Sequence, residues 1–130
     1  MQPTTKTTAS IIPRAQRSRL LAKPLEREIM HTMRMICDDY QGGPWEFYEL
    51  SHCKAVYIAP GKDDQLNIKV AGTHYEGTMT ADAAGITATL IALKKMANTT
   101  HHPRFTDQYL ALRLFACGHP EQSKILFAAA

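Results

Sequence analysis

Residues 45–79 read WEFYELSHCKAVYIAPGKDDQLNIKVAGTHYEGTM, and this stretch decides the fold class. Its clearest segment is Gln65 to Ala71. There Leu66, Ile68 and Val70 alternate with Gln65, Asn67 and Lys69, the two-residue period of a strand with one dry and one wet face. Trp45 to Ser51 alternates as well, with Trp45 and Phe47 on one side and Tyr48 and Leu50 on the other. Lys54 to Ala59 follows a tight connection at His52-Cys53, and Pro60-Gly61-Lys62-Asp63-Asp64 is a turn cluster. Gly72-Thr73 fits a two-residue hairpin with glycine at its first central position, and His74 to Met79 is the returning strand. These four runs predict an antiparallel meander with one solvated face.

Outward from the meander the period changes to that of a helix. On the N-terminal side Leu25, Ile29, Thr32/Met33, Ile36 and Tyr40 recur at helical spacing. Pro24 suits the first position, Glu26 and Glu28 complement the positive end, and Gly42-Gly43-Pro44 stops the helix after about Tyr40. On the C-terminal side Thr80 is an N-cap, and Asp82 sits in the first turn of a helix to about Asn98. That helix is apolar around most of its girth before Lys94, which places it inside, against the dry face of the sheet. Pro103 opens a third helix with Phe105, Tyr109, Leu112 and Ala116 on one stripe, ended by Gly118. Pro120 starts a short fourth helix carrying Ile125 and Leu126. The resulting order is α+β: a four-stranded antiparallel meander packed against about four helices.

The chain has 130 residues, which suits one core. With 45% hydrophobic and 21% charged residues, it has a globular composition. No apolar run approaches the roughly 18 residues of a membrane span, and the Thr-rich start lacks the apolar core of a secretory signal. A cytoplasmic protein is expected. Cys37, Cys53 and Cys117 are an odd number without a pairing motif, consistent with reduced thiols packed as small hydrophobes. The net charge of +3 is unevenly spread. Residues 1–23 carry Lys6, Arg14, Arg17, Arg19 and Lys23 with no acid; the rest holds 10 basic against 12 acidic residues. The chain therefore divides into a basic, partly ordered leader (1–23) and one domain (24–130). Within the leader, Ser10 to Ile12 suits a short edge strand ended by Pro13. A basic arm can touch nucleic acid or an acidic protein face; the simpler reading is a solvated tail.

Catalytic readings find little support. His101, His102, His119 and Cys117 fit no common zinc spacing, so they read as loop histidines and a packed thiol. Cys53 beside His52 would place thiol and base on opposite faces of a strand. Asp38, Asp39, Glu46 and Glu49 surround the glycine corner, but no phosphate-binding loop accompanies them. Trp45, Phe47, Tyr48 and Tyr57 form the largest aromatic group. Their neighbours are Glu46 and Glu49 rather than the Lys or Arg that a base-stacking strand needs. One face of this group suits the core, and the other suits a protein contact. No catalytic residue, metal ligand or cofactor is expected.

The run Asp39-Tyr40-Gln41-Gly42-Gly43-Pro44-Trp45-Glu46-Phe47-Tyr48-Glu49-Leu50-Ser51 resembles the signature of the ArdB/KlcA antirestriction family, D-Y-x-G-G-x-W-x-F-Y-x-L-S. Tyr57-Ile58-Ala59-Pro60 is similar to its second block, and Thr80-Ala81-Asp82-Ala83-Ala84-Gly85-Ile86 to its third. Tyr109 to Pro120, running into His119-Pro120-Glu121, is similar as well. Two features depart: the leader lacks the family's Phe-Leu-Pro and Phe-Gly stretch, and His52-Cys53-Lys54 replaces an Asn-Gly-Gly turn.

The resemblance implies relief of type I restriction of incoming plasmid or phage DNA. Charge constrains the means. Imitating duplex DNA takes about one negative charge per 1.7 Å, whereas this chain has 12 acids against 15 bases. No basic recognition helix for sequence-specific DNA binding is evident. The expected partner is therefore the type I restriction enzyme complex, touched as protein, directly or indirectly, by a monomer or weak homodimer. The expected contact surface is the corner of Asp39, Tyr40, Gly42, Gly43 and Trp45 with Tyr48 and Glu49; the same residues also serve as a helix-to-strand turn. Two alternatives remain at this stage: a nucleic-acid accessory protein of a mobile element using its basic leader, and a hydrolase using the acidic corner.

Overall fold

The computed structural model describes residues 8–12, 23–38, 40, 45–51, 55–61 and 65–130. The α+β class is as expected, and all four runs of alternating residues are strands, but they do not form one meander. The strands are β1 (Ala9–Ile11), β2 (Trp45–Leu50), β3 (Val56–Pro60), β4 (Gln65–Val70) and β5 (Tyr75–Thr80). They form two antiparallel sheets, β1-β2-β3 and β4-β5, in place of the expected single four-stranded sheet. β1 pairs Ala9 with Leu50 and Ile11 with Tyr48, so the edge strand anticipated at Ser10 to Ile12 exists, one residue earlier.

The sheet divides because a helix takes the place of the next strand. The helices are α1 (Lys23–Ile36), α2 (Ala81–Thr100), α3 (Pro103–Ala116) and α4 (Gln122–Ala128). Along the outer edge of β3, the Ile58 N–H donates to Thr89 Oγ1 of α2 at 3.4 Å, where a strand carbonyl would otherwise sit. Gly85 permits that approach. A Cβ there would lie 2.5 Å from the Ile58 carbonyl oxygen and 2.4 Å from Ala59 Cβ. β3 is consequently buried from Val56 to Ala59, and the expected solvated face belongs to β4, where Gln65, Asn67 and Lys69 are exposed.

α2 is the centre of the molecule, packed against α1, α3 and β3. Its buried residues run from Ala81 to Leu90 with only Asp82 half-buried, and continue at Ala92 and Leu93, as its apolar girth requires. Each fully buried Ile or Leu, such as Ile86, Leu90 and Leu93, contributes about 1.5–3 kcal/mol. Thr87 and Thr89 are buried too, and their hydroxyls donate to the carbonyls of Ala83 (2.9 Å) and Gly85 (2.8 Å).

Three of the differences from the expected element ends have a visible cause. α1 stops at Ile36 rather than Tyr40, because the Tyr40 N–H turns back to the Cys37 carbonyl at 3.2 Å. The β4–β5 loop has four residues, Ala71 to His74, and its left-handed residue is His74 (φ 60°), not Gly72. The Thr73 hydroxyl donates to the Ala128 carbonyl at 3.1 Å, which ties that wider loop to the end of α4. α4 begins at Gln122 instead of Pro120, because His119 and Glu121 are used in a turn described below. The residues Gly42-Gly43-Pro44, His52-Cys53-Lys54 and Lys62 to Asp64 lie outside the described residues.

Candidate functional site

Of the seven residues expected to form a contact corner, four are described. Tyr40 and Trp45 meet edge to face with ring centroids 5.3 Å apart, and the Trp45 indole N–H donates to the Tyr40 hydroxyl. Tyr48 lies on the other face of β2, stacked on its cross-strand partner Tyr57 at 4.9 Å and 16°. Glu49 is exposed opposite Ser10. Asp39, Gly42 and Gly43 lie outside the described residues. The strand period thus separates Tyr48 from the Tyr40–Trp45 pair.

A second cluster brings together residues that sequence reasoning had treated apart. Thr80 caps α2 by accepting the Ala83 N–H at 3.3 Å. Within the first turn of the helix, Asp82 accepts from the Tyr57 hydroxyl of β3 at 2.8 Å and meets His119 Nε2 at 2.9 Å. The Glu121 N–H donates to His119 Nδ1 at 3.0 Å. The Glu121 carboxylate in turn accepts from the Thr80 N–H at 3.2 Å and from the Thr80 hydroxyl. Lys124 of α4 stands 4.0 Å from Glu121 and donates to the Thr78 carbonyl of β5 at 2.9 Å. Side chains of the α3–α4 turn and α4 therefore cover the outer edge of β5, and the start of α2 is tied to β3, β5 and that turn.

The electrostatics follow from this placement. Burial works to raise the Asp82 carboxyl. The hydrogen bonds donated by His119 and Tyr57 outweigh it and hold Asp82 below the ordinary carboxylate value. Burial, reinforced by the Asp82 charge and hydrogen bond, pushes the Tyr57 phenol far above its usual range. A backbone N–H can only donate, so His119 Nδ1 is the acceptor, and in the neutral ring Nε2 carries the proton toward Asp82. Both ring nitrogens are thereby hydrogen-bonded within the fold.

His119 is a loop histidine as expected, but a nearly buried and hydrogen-bonded one, with its side chain 10% exposed. Cys117, expected to be packed, is exposed; Cys37 is the buried thiol among the described residues. No group of three or more His, Cys, Asp or Glu able to hold a metal occurs among the described residues. The Tyr57–Asp82–His119 linkage was invisible to local spacing because its partners are 25 and 37 residues apart. A usable signal did exist: Tyr57-Ile58-Ala59-Pro60, Thr80 to Ile86 and His119-Pro120-Glu121 each lie in a block singled out for family likeness, and in space these blocks converge.

A groove of about 1060 Å³ opens elsewhere, between α1, α2 and the β4–β5 hairpin. Met35, Ile36, Ile68 and Ile91 contribute apolar walls, and Lys69 and Lys94 stand at its rim.

Residues 38–129 match the sequence model of a family described as antirestriction protein. This chain belongs to the antirestriction protein family. It is 37% identical over 130 residues to the antirestriction protein KlcA of Escherichia coli, with 91% of each chain covered. To a second E. coli protein of that description it is 41% identical over 97 residues, covering 72% of this chain and 66% of the relative. A solved structure reported for the KlcA and ArdB proteins superposes with a TM-score of 0.86 at 35% identity, covering 99% of this chain and 100% of that one. That work describes a novel fold with activity against type I DNA restriction systems in vivo but not in vitro. The Tyr57–Asp82–His119–Glu121 linkage of this antirestriction-family chain lies within the matched span. β1 and α1 precede that span, and the structural match extends over them. Among the described residues no helix is long and apolar enough to cross a membrane.

Proposed function

We propose that this protein relieves type I restriction inside the cell by contact with the restriction machinery, without imitating DNA and without turning over a substrate. The observation that carries the reading is charge within a family known for antirestriction. A chain with 15 basic and 12 acidic residues has the wrong sign to replace a polyanion in a DNA channel. The engaged His119 supports the non-catalytic part, since its two nitrogens serve Asp82 and Glu121. Activity of the KlcA and ArdB proteins in vivo but not in vitro fits a contact that needs a component or state of the machinery found in the cell. Contact is therefore direct or through such a component.

The test is plating of unmodified phage on a type I restricting host with and without this protein. Plating efficiency should rise by orders of magnitude while methylation of the recovered DNA continues. Unchanged restriction in cells that contain the soluble protein sinks the proposal.

A further inference from the structure

The face of α1 turned away from the core carries a stripe of cations. Leu25, Ile29, Thr32, Met33 and Ile36 are buried on one side of the helix. At a rotation of 100° per residue, Lys23, Arg27, His31 and Arg34 fall together on the other, and all four are exposed. The stripe runs for about 16 Å at 1.5 Å per residue. Its acidic neighbours are few and mostly occupied. Glu26 stands 3.7 Å from Lys23, and Glu28 is paired with Lys95 of α2 at 3.2 Å. Asp38 is exposed beyond the end of the helix. Arg27 and Arg34 have no ion-pair partner among the described residues. The stripe also continues the basic character of residues 1–23.

Beside Arg34 stands Met35, 68% exposed, at the lip of the groove between α1, α2 and the hairpin. Arginine and methionine together are the composition of a protein interface, where an apolar anchor is ringed by planar cations. A phosphate backbone would leave Met35 without an apolar counterpart. Thr32, the one hydroxyl-bearing residue of α1, is buried with its hydroxyl on the Glu28 carbonyl, so the helix presents no amide or hydroxyl side chain to a base edge.

We infer that the outer face of α1 is a docking surface for an acidic protein surface, with Arg27 and Arg34 pairing its carboxylates and Met35 receiving an apolar side chain at the groove. This deepens the proposed function and rests on it. The path of DNA through a restriction machine must itself be positive to hold the duplex, and it would repel the stripe. The partner surface therefore lies off the DNA path, which is how a basic protein can stop cutting without competing for DNA.

The experiment uses the full chain with Arg27→Glu/Arg34→Glu, and Arg104→Glu/Arg113→Glu at two exposed positions of α3 as the charge-matched control. Thermal melting checks that both fold, as exposed positions allow. Plating of unmodified phage and co-purification with the subunits of the type I complex are the readouts. The α1 variant should lose restriction relief and complex retention by about ten-fold or more while the α3 variant keeps both. Met35→Lys should weaken retention as well. If the wild type relieves restriction and the folded α1 variant does so equally, the docking surface is wrong and the proposed function stands. If the wild type itself gives no relief, the proposed function fails and takes this inference with it. If instead the wild type retains duplex DNA at low salt, and the α1 variant loses that retention but keeps the complex, the partner of the stripe is nucleic acid and the inference is overturned.

Discussion

Replacing Gly85 with alanine should be among the more damaging single-methyl changes available in this protein. The added Cβ would stand 2.4 Å from Ala59 Cβ, 2.5 Å from the Ile58 carbonyl oxygen and 2.6 Å from Ala59 Cα. Comfortable carbon contacts are about 3.5–4.0 Å, so α2 and β3 must separate by about 1 Å. None of the three atoms is the far end of a flexible side chain, which puts the overpacking cost near the top of its usual range, about 3 kcal/mol. Separation also weakens the Ile58–Thr89 hydrogen bond, worth about 1 kcal/mol. Alanine returns about 1 kcal/mol through helix propensity. The net loss is about 3 kcal/mol, and with a urea slope of about 2 kcal/mol per molar the midpoint should fall by about 1.5 M. Gly72→Ala is the control: nothing lies within 4 Å of its Cβ, and the midpoint should move by no more than about 0.3 M. Equilibrium urea unfolding followed by far-ultraviolet circular dichroism measures both. A Gly85→Ala midpoint equal to or above the wild type would refute the argument that a helix pressed onto β3 divides the sheet.

The Asp82 linkage makes stability depend on pH with a definite sign. Asp82 titrates below its ordinary 3.8 in the fold, so its contribution is complete above that value and is lost as pH falls through the lower, folded-state value. Urea midpoints from about pH 5 to about pH 2 should therefore decline more steeply for the wild type than for Asp82→Asn; parallel slopes would contradict the assignment. Thr80→Ala removes an N-cap and a Glu121 partner together, and should cost about 1–2 kcal/mol in the same unfolding assay. Thr80→Ser should recover most of it, and an unchanged Thr80→Ala midpoint would mean the cap is dispensable. Between the two described cysteines, Cys117 is exposed and Cys37 buried. An aromatic disulfide reagent should label Cys117 in the native protein and Cys37 only on unfolding, as mass spectrometry of peptides would show; the reverse order would contradict the placement of α3.

Local chemistry carried much of the architecture. The two-residue period of Gln65–Val70 and the apolar girth of α2 each appear where the residues require. So do the Thr80 cap and the Pro103 start of α3, because each depends on neighbours within a few residues. The family blocks were legible for the same reason. Boundaries shifted where a distant contact intervened, as before α4, where His119 meets Asp82 and Glu121 meets Thr80.

What the sequence could settle alone was the kind of element at each position, the family and the sign of the charge, all properties of residues and their near neighbours. Tertiary structure alone decided that the strands form two sheets and that Tyr57, Asp82 and His119 share hydrogen bonds. Each of these depends on which surfaces meet across 25 or more residues. Pairings at that range are selected by packing against α2, and no local period encodes them.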